Sequence, residues 1–392
     1  MTKTQKTAGK AAIVLSFIAF ISLGMPDGLL GVAWPGIRET FNLPLDALGL
    51  LLVFSTAGYM ASSFFSGLLV RRFGIGGLLG LSCALTAGAL LIYFLSPFWF
   101  LLFAAVFFGG LGAGAIDAGL NTYVEKHHSE RMMQWLHASF GIGVTIGPLI
   151  MTAGIALTGQ WRPGYLVVSL AQFVLAIVFF SSGHLWQKSD IVEDKAKMPE
   201  KEASLGETLR EPRALLSMVM FFVYTGVELG LGLWSYSFLT ISRGVRPEIA
   251  GIVTGSYWAM FTVGRILAGW YTRRMTVRSI LYTGLGLALA GSLIMALDGG
   301  IWLTIAGIGL VGFAIAPLFP SLISDTVNRV GARHVSNTIG MQISSAGFGA
   351  AVVPSMAGVL ARIYSLEVIP LYMMGALSLL FLSILLSRGH KG

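Results

Sequence analysis

The sequence predicts an all-α integral membrane protein, with about twelve transmembrane helices in two six-helix pseudo-symmetric bundles. Three observations carry this: a composition too apolar for water, a regular series of apolar runs, and weak repeats between the two halves. Of 392 residues, 55% are hydrophobic and only 11% charged, and the mean hydropathy is +0.78. Soluble domains carry roughly a quarter charged residues, so lipid is the fitting solvent. Fifty glycines suit helices that pack backbone to backbone.

The apolar runs fall at 11–33, 45–70, 76–95, 98–122, 134–157 and 164–185, then at 213–241, 248–271, 278–297, 300–322, 336–361 and 366–387. Each is near or above the ~20 residues a spanning helix needs. In lipid such runs must be helical, because unpaired backbone groups have no water to bond. The first run is long enough to span and has no cleavage site, so it reads as a helix of the mature chain. Pro26 with its neighbouring glycines predicts a break near Asp27.

Basic residues orient the runs. If both termini are cytoplasmic, twenty of the 26 Lys/Arg lie inside, among them Lys3, Lys10, Arg71, Arg72, Arg273 and Arg274. Five lie outside, and Arg265 sits within a helix. This bias is the positive-inside pattern and predicts a multi-pass protein of the cell (inner or plasma) membrane. It also accounts for the net charge of +8 without a nucleic-acid partner, since no single basic patch forms. Residues 186–212 are polar and read as a cytoplasmic linker between an N-terminal bundle (1–185) and a C-terminal bundle (213–392). The lone Cys83 allows neither an internal disulfide nor a cysteine metal site, and no cofactor is expected.

The halves echo each other at an offset of about 200 residues. Gly24, Asp27 and Trp34 match Gly226, Glu228 and Trp234. Gly67 to Arg72 matches Gly269 to Arg274, and Gly143 with Pro148 matches Gly349 with Pro354. Two parallel halves of six helices describe a rocking transporter whose substrate site lies between them near the midplane.

Acids inside membrane helices are costly, at ~2.5–3.5 kcal/mol on insertion scales. Asp27, Asp117 and Glu228 are therefore candidate proton-coupling groups, since low dielectric favours the neutral form of a carboxyl. Sodium coordination is the alternative use of the same groups. Asn121 shares a helix face with Asp117 and suits substrate hydroxyls. His137, Trp234, Tyr257, Trp258, Asn337 and Gln342 are further candidate substrate contacts. The aromatics offer faces for sugar rings, and the amides offer donors and acceptors. Arg265 and Asp325, near the same inner helix ends, read as a gating ion pair, with Arg71 and Arg72 as further gating residues.

Several stretches resemble the major facilitator superfamily over nearly the whole chain. Gly67-x-Leu69-x-Arg71-Arg72-Phe73-Gly74 is similar to its signature between helices two and three. It departs in carrying Arg71 for the usual acid, and Ile75 and Gly76 for later basic residues. Gly112 to Asn121, His137 to Pro148, Tyr224 to Trp234, and Tyr257-Trp258 with Gly264-Arg265 resemble the fucose permease and hexose symporter branch, where a Glu usually stands at Asp117. The resemblance implies that Asp27 and Asp117 are the proton-linked carboxylates. The expected function is proton-coupled symport of a monosaccharide or similar polyhydroxylated solute, with a proton-driven exporter of drugs or metabolites as the alternative. A monomer suffices. No HExxH, paired-Asp motif or GxSxG with partnered His and Asp marks an enzyme.

Overall fold

A computed structural model describes residues 3–127, 130–186, 203–271, 274–297 and 299–387. Most of the linker therefore lies outside the described residues. The chain is helical nearly throughout. Helix α1 lies within Lys3–Phe41, α2 is Leu45–Ser66 and α3 is Arg72–Leu95. Helices α4 (Leu101–His127), α5 (Glu130–Thr158) and α6 (Arg162–Ser181) follow. The second series is α7 (Pro212–Ser237), α8 (Pro247–Tyr271), α9 (Val277–Ala296), α10 (Ile301–Ile315), α11 (Val335–Ile363) and α12 (Val368–Leu386).

Among the described residues, eleven helices are long and apolar enough to cross a membrane. The twelfth predicted run forms α8, whose Thr254, Ser256, Tyr257, Trp258 and Arg265 dilute its apolar character. From α2 into α3 the backbone stays helical except at Gly74, near the start of α3, whose φ of 67° and ψ of 171° break the path. That left-handed φ is open to glycine at little cost. Helix α10 ends at Ile315, and beyond Pro317 the chain continues as two short helices, Leu318–Ser324 and Thr326–Val330.

The expected break at Asp27 is not found: α1 passes through Pro26 and Pro35 as one helix. A helical proline leaves the carbonyl four residues back without its donor. For Pro26 that carbonyl belongs to Ser22, and the buried Gln172 of α6 donates its Nε2 to it at 2.5 Å. A side chain from another helix thus supplies the missing bond, which membrane prolines need in the absence of water.

The chain divides into two compact units. One comprises Met1–Ile191 with Arg246–Trp258, the other Val192–Val245 with Ala259–Gly392. In the first unit α1 packs on α5, and in the second α7 packs on α11. Both units turn large apolar side chains outward, such as Phe64, Leu157, Phe173, Trp270 and Trp302, as lipid-facing helices do.

Candidate functional site

In the first unit, facing glycines fix how α1 is rotated. A Cβ at Gly28 would sit 2.6 Å from the Val144 carbonyl, and one at Gly147 2.5 Å from that of Met25. Gly24 and Gly143 meet at the same crossing. The small-xxx-small spacing lets the two backbones touch. Asp27 is turned off this face and is exposed.

A second glycine seam joins α2 to α4. Gly58 abuts the Phe107 backbone, Gly110 that of Ser55, and Gly114 the Tyr59 carbonyl with the Ser62 and Ser63 hydroxyls. This seam sets Tyr59 of α2 against Asp117 of α4. The Tyr59 hydroxyl donates to Asp117 Oδ2. Asn121, one turn on, donates Nδ2 to Asp117 Oδ1 at 2.9 Å. The buried Asn121 Oδ1 has no hydrogen-bond partner. Asp27 lies close enough for its charge to interact with Asp117 and Tyr59. Neither acid forms an ion pair with a basic side chain among the described residues.

The second unit treats its acid differently. Glu228 of α7 is buried and lies 3.6 Å from Arg265 Nη2 of α8, with side chains 11% and 21% exposed. The Arg265 guanidinium stacks 4.3 Å over Phe261. Tyr224, one turn before Glu228, contacts its carboxyl and donates to the Ile315 carbonyl at 3.2 Å, where α10 breaks. The expected Arg265–Asp325 pair is therefore corrected. Asp325 is taken by Arg329 at 3.5 Å and by Asn328 at 3.1 Å, which leaves Glu228 as the acid that compensates Arg265. Glu228 thus sits beside the guanidinium of Arg265.

The other predicted residues scatter. Trp234 is buried and its indole donates to the Pro354 carbonyl at 2.9 Å. Tyr257 and Trp258 are buried edge to face at 5.0 Å. His137 stands edge-on to Phe20 at 5.5 Å. Asn337 donates to the Ala203 carbonyl at 2.7 Å and to Thr208 at 3.3 Å, so it ties the later part of the linker to α11. Gln342 is buried and donates to Thr326 Oγ1 at 3.0 Å. Arg72 is exposed, its guanidinium 5.6 Å from the Phe73 ring centroid, and the side chain of Arg71 lies outside the described residues. Of the predicted substrate ligands, Asn121 is hydrogen-bonded to one of the carboxylates, Asp117. Sequence reasoning missed Tyr59, Tyr224 and Gln172. The signal available was a polar side chain in an apolar run, and it named no partner.

Comparison with known proteins fits this geometry. The family model described as Major Facilitator Superfamily matches residues 14–341. Bypass of stop codon protein 6 of Saccharomyces cerevisiae is 25% identical, over 92% of this chain and 79% of its own length. The glucose/mannose transporter GlcP of Bacillus subtilis is 22% identical, covering 89% and 88%. The human sodium-dependent glucose transporter 1 is 24% identical, covering 88% and 73%. Among solved structures, a bacterial homologue of the lysosomal transporter Spinster gives a TM-score of 0.74 at 12% identity, covering all of both chains. The outward-conformation transporter FucP gives 0.66 at 14%, covering 97% of this chain and all of its own.

Proposed function

The chain belongs to the major facilitator superfamily, and from that footing we propose that it is a proton-coupled monosaccharide symporter working by alternating access. That it is a transporter and not an enzyme follows from the family. The observation that carries the finer reading is the Asp27–Asp117 pair: two acids within electrostatic reach, in a unit that gives them no basic partner among its described residues. A pair of near carboxylates favours holding one proton between them. The Asp117 oxygens already face donor hydrogens from Tyr59 and Asn121, a poor lining for sodium. The sugar class is supported by the names of the glucose-transporting relatives. Asn121 Oδ1, buried and without a hydrogen-bond partner, suits a substrate hydroxyl. Both termini are taken to face the cytoplasm, and one copy supplies the whole pathway.

The test is substrate-induced pH change in proteoliposomes, with D-glucose, D-mannose, deoxyhexoses and apolar cations as probes. Alkalinisation outside on adding a sugar, lost in Asp27→Asn and Asp117→Asn while sugar counterflow persists, is the expected result. Uptake that follows a sodium gradient and ignores pH would replace the proton by sodium, as the name of the human relative suggests for that protein. Proton movement with apolar cations alone would favour an exporter.

A further inference from the structure

We infer that the first unit binds an anionic phospholipid, with an acyl chain in a groove between α1 and α6 and the headgroup at the groove's rim. The inference depends neither on the coupling ion nor on the sugar. The groove has a volume of about 690 Å³. Ala11, Val14 and Leu15 of α1 form one wall, and Ile177, Val178 and Ser181 of α6 the other. The turn Gly183–Leu185, which follows α6, closes one end. The polar lining residues are Ser181, Ser182 and His184. Both hydroxyls donate to carbonyls behind them in the chain, Ser181 to Ile177 at 2.9 Å and Ser182 to Phe179 at 2.7 Å. The Trp186 indole is turned inward: it donates to Ser182 Oγ at 2.9 Å and stands edge-on to Tyr123 at 5.2 Å. It therefore leaves the groove uncovered. His184 is exposed at the rim.

Two observations choose the occupant. The first is continuity with the lipid-facing surface. Phe173 and Val174, one turn before Ile177 and Val178 on α6, are more than half exposed, so the groove opens onto the same apolar face. Water finds few partners on such walls, and hydrocarbon fits them. The second is charge. Lys3, Lys6 and Lys10 precede Ala11 in the sequence, and Lys188 follows Trp186. Their side chains lie outside the described residues. No acid stands before Asp27, and none stands in 162–188. Basic residues clustered at the cytoplasmic end of membrane helices attract anionic headgroups. A groove between two helices then holds one such lipid in place. With both termini taken as cytoplasmic, that lipid belongs to the inner leaflet.

The test is native mass spectrometry of the full chain, released from nanodiscs of equimolar dioleoylphosphatidylglycerol and dioleoylphosphatidylcholine. Wild type should retain a phospholipid after the others are stripped, and that lipid should be phosphatidylglycerol. Ile177→Trp, which fills the groove, should lose it. Phe173→Trp, one turn away on the same exposed face of α6 and outside the groove, should keep it. Lys10→Gln should lower the preference for phosphatidylglycerol about fivefold. Retention in Ile177→Trp equal to wild type overturns the inference. So does a wild type that keeps both lipids alike, or a preference unmoved by Lys10→Gln. Because Ile177→Trp could lower the yield of folded protein, a second measurement uses wild type with phosphatidylglycerol that carries a diazirine on its acyl chain. After irradiation in the same nanodiscs, label should concentrate in 11–15 and 177–185. Label spread evenly over the lipid-facing helices overturns the assignment. Neither readout involves transport, so failure of the symport reading and failure of this inference are distinguished.

Discussion

Gln172 gives the sharpest test of how α1 survives its proline. Replacing Gln172 with Leu keeps the volume close and removes the donor to the Ser22 carbonyl, 2.5 Å away. Pro26 supplies no N–H to that carbonyl, so it would be left unsatisfied in a buried site. Such a group costs about 1–3 kcal/mol. Part of this is offset, because Gln172 Oε1 is itself buried without a partner and leaves with the side chain. The net loss should be near 1 kcal/mol, a Tm fall of roughly 2 °C. The assay is thermal unfolding of detergent-purified protein followed by fluorescence-detected size exclusion. The decisive comparison adds Pro26→Ala. An alanine N–H at position 26 restores the helical bond to Ser22, so the double variant should regain most of the loss. Pro26→Ala alone should be neutral or mildly stabilising. This coupling is the signature of two groups serving one carbonyl. If the double variant is no more stable than Gln172→Leu, the account of α1 is refuted.

Other predictions follow from the same contacts. Gly143→Ala places a Cβ against the Ile21 carbonyl and Gly349→Ala against that of Phe222, whereas Gly286→Ala meets nothing within 4 Å; yield of folded protein should drop for the first two and not the third. Glu228→Met should destabilise more than Arg265→Met, because a lone buried Glu can take up a proton and a lone Arg cannot shed one; thermal melts of the two variants check this. The Ser204 backbone N–H first, and then Arg333, hold the Glu207 carboxyl below its ordinary 4.5. Its contribution to the contact with Arg333 at 3.0 Å is thus present at neutral pH and is lost as pH falls through the lowered value. Hydrogen-exchange protection at residues 203–211, taken relative to the intrinsic rate at each pH, should fall on acidification, and Glu207→Gln should flatten that dependence.

What the sequence disclosed and what it hid divide along a physical line. Helices in lipid are dictated locally, by runs of apolar residues long enough to span, so all twelve runs could be read and all twelve are helices. The glycine repeats were also legible. Gly24 and Gly143 lie at the α1–α5 crossing, while Gly226 meets Val353 and Gly349 meets the Phe222 backbone at the α7–α11 crossing. Close helix packing leaves small residues at a fixed spacing, and spacing survives in a sequence. Side-chain partnerships do not. Arg265 found Glu228 rather than Asp325 because Arg329, one turn from Asp325, had already taken it. Asn337 and Gln342 have donors and acceptors suited to sugar hydroxyls, yet both are committed to backbone and threonine partners. A chain written in order carries no record of which helix face meets which. Pro26 misled for the same reason: its compensation comes from a residue on another helix.

The matched acids show how one scaffold supports two kinds of electrostatics. Asp27 and Glu228 occupy equivalent places, each on a helix held by glycines against its partner. What differs is the neighbour. Glu228 has a guanidinium beside it, which compensates its charge inside its own unit. Asp27 has another acid, itself tied down at both oxygens. A compensated acid has little reason to bind a further cation, because doing so strands the arginine. Two uncompensated acids have every reason to bind one. The unit holding Asp27 is therefore the one that should respond to the ion gradient. Exchanging the arrangement makes the point testable. Introducing Arg265→Gln with Glu228→Gln removes charge from the second unit without leaving either partner stranded. That double variant should keep the pH dependence of uptake, whereas Asp27→Asn should abolish it. Loss of pH dependence in the double variant would move the coupling site to Glu228 and overturn the division of labour argued here.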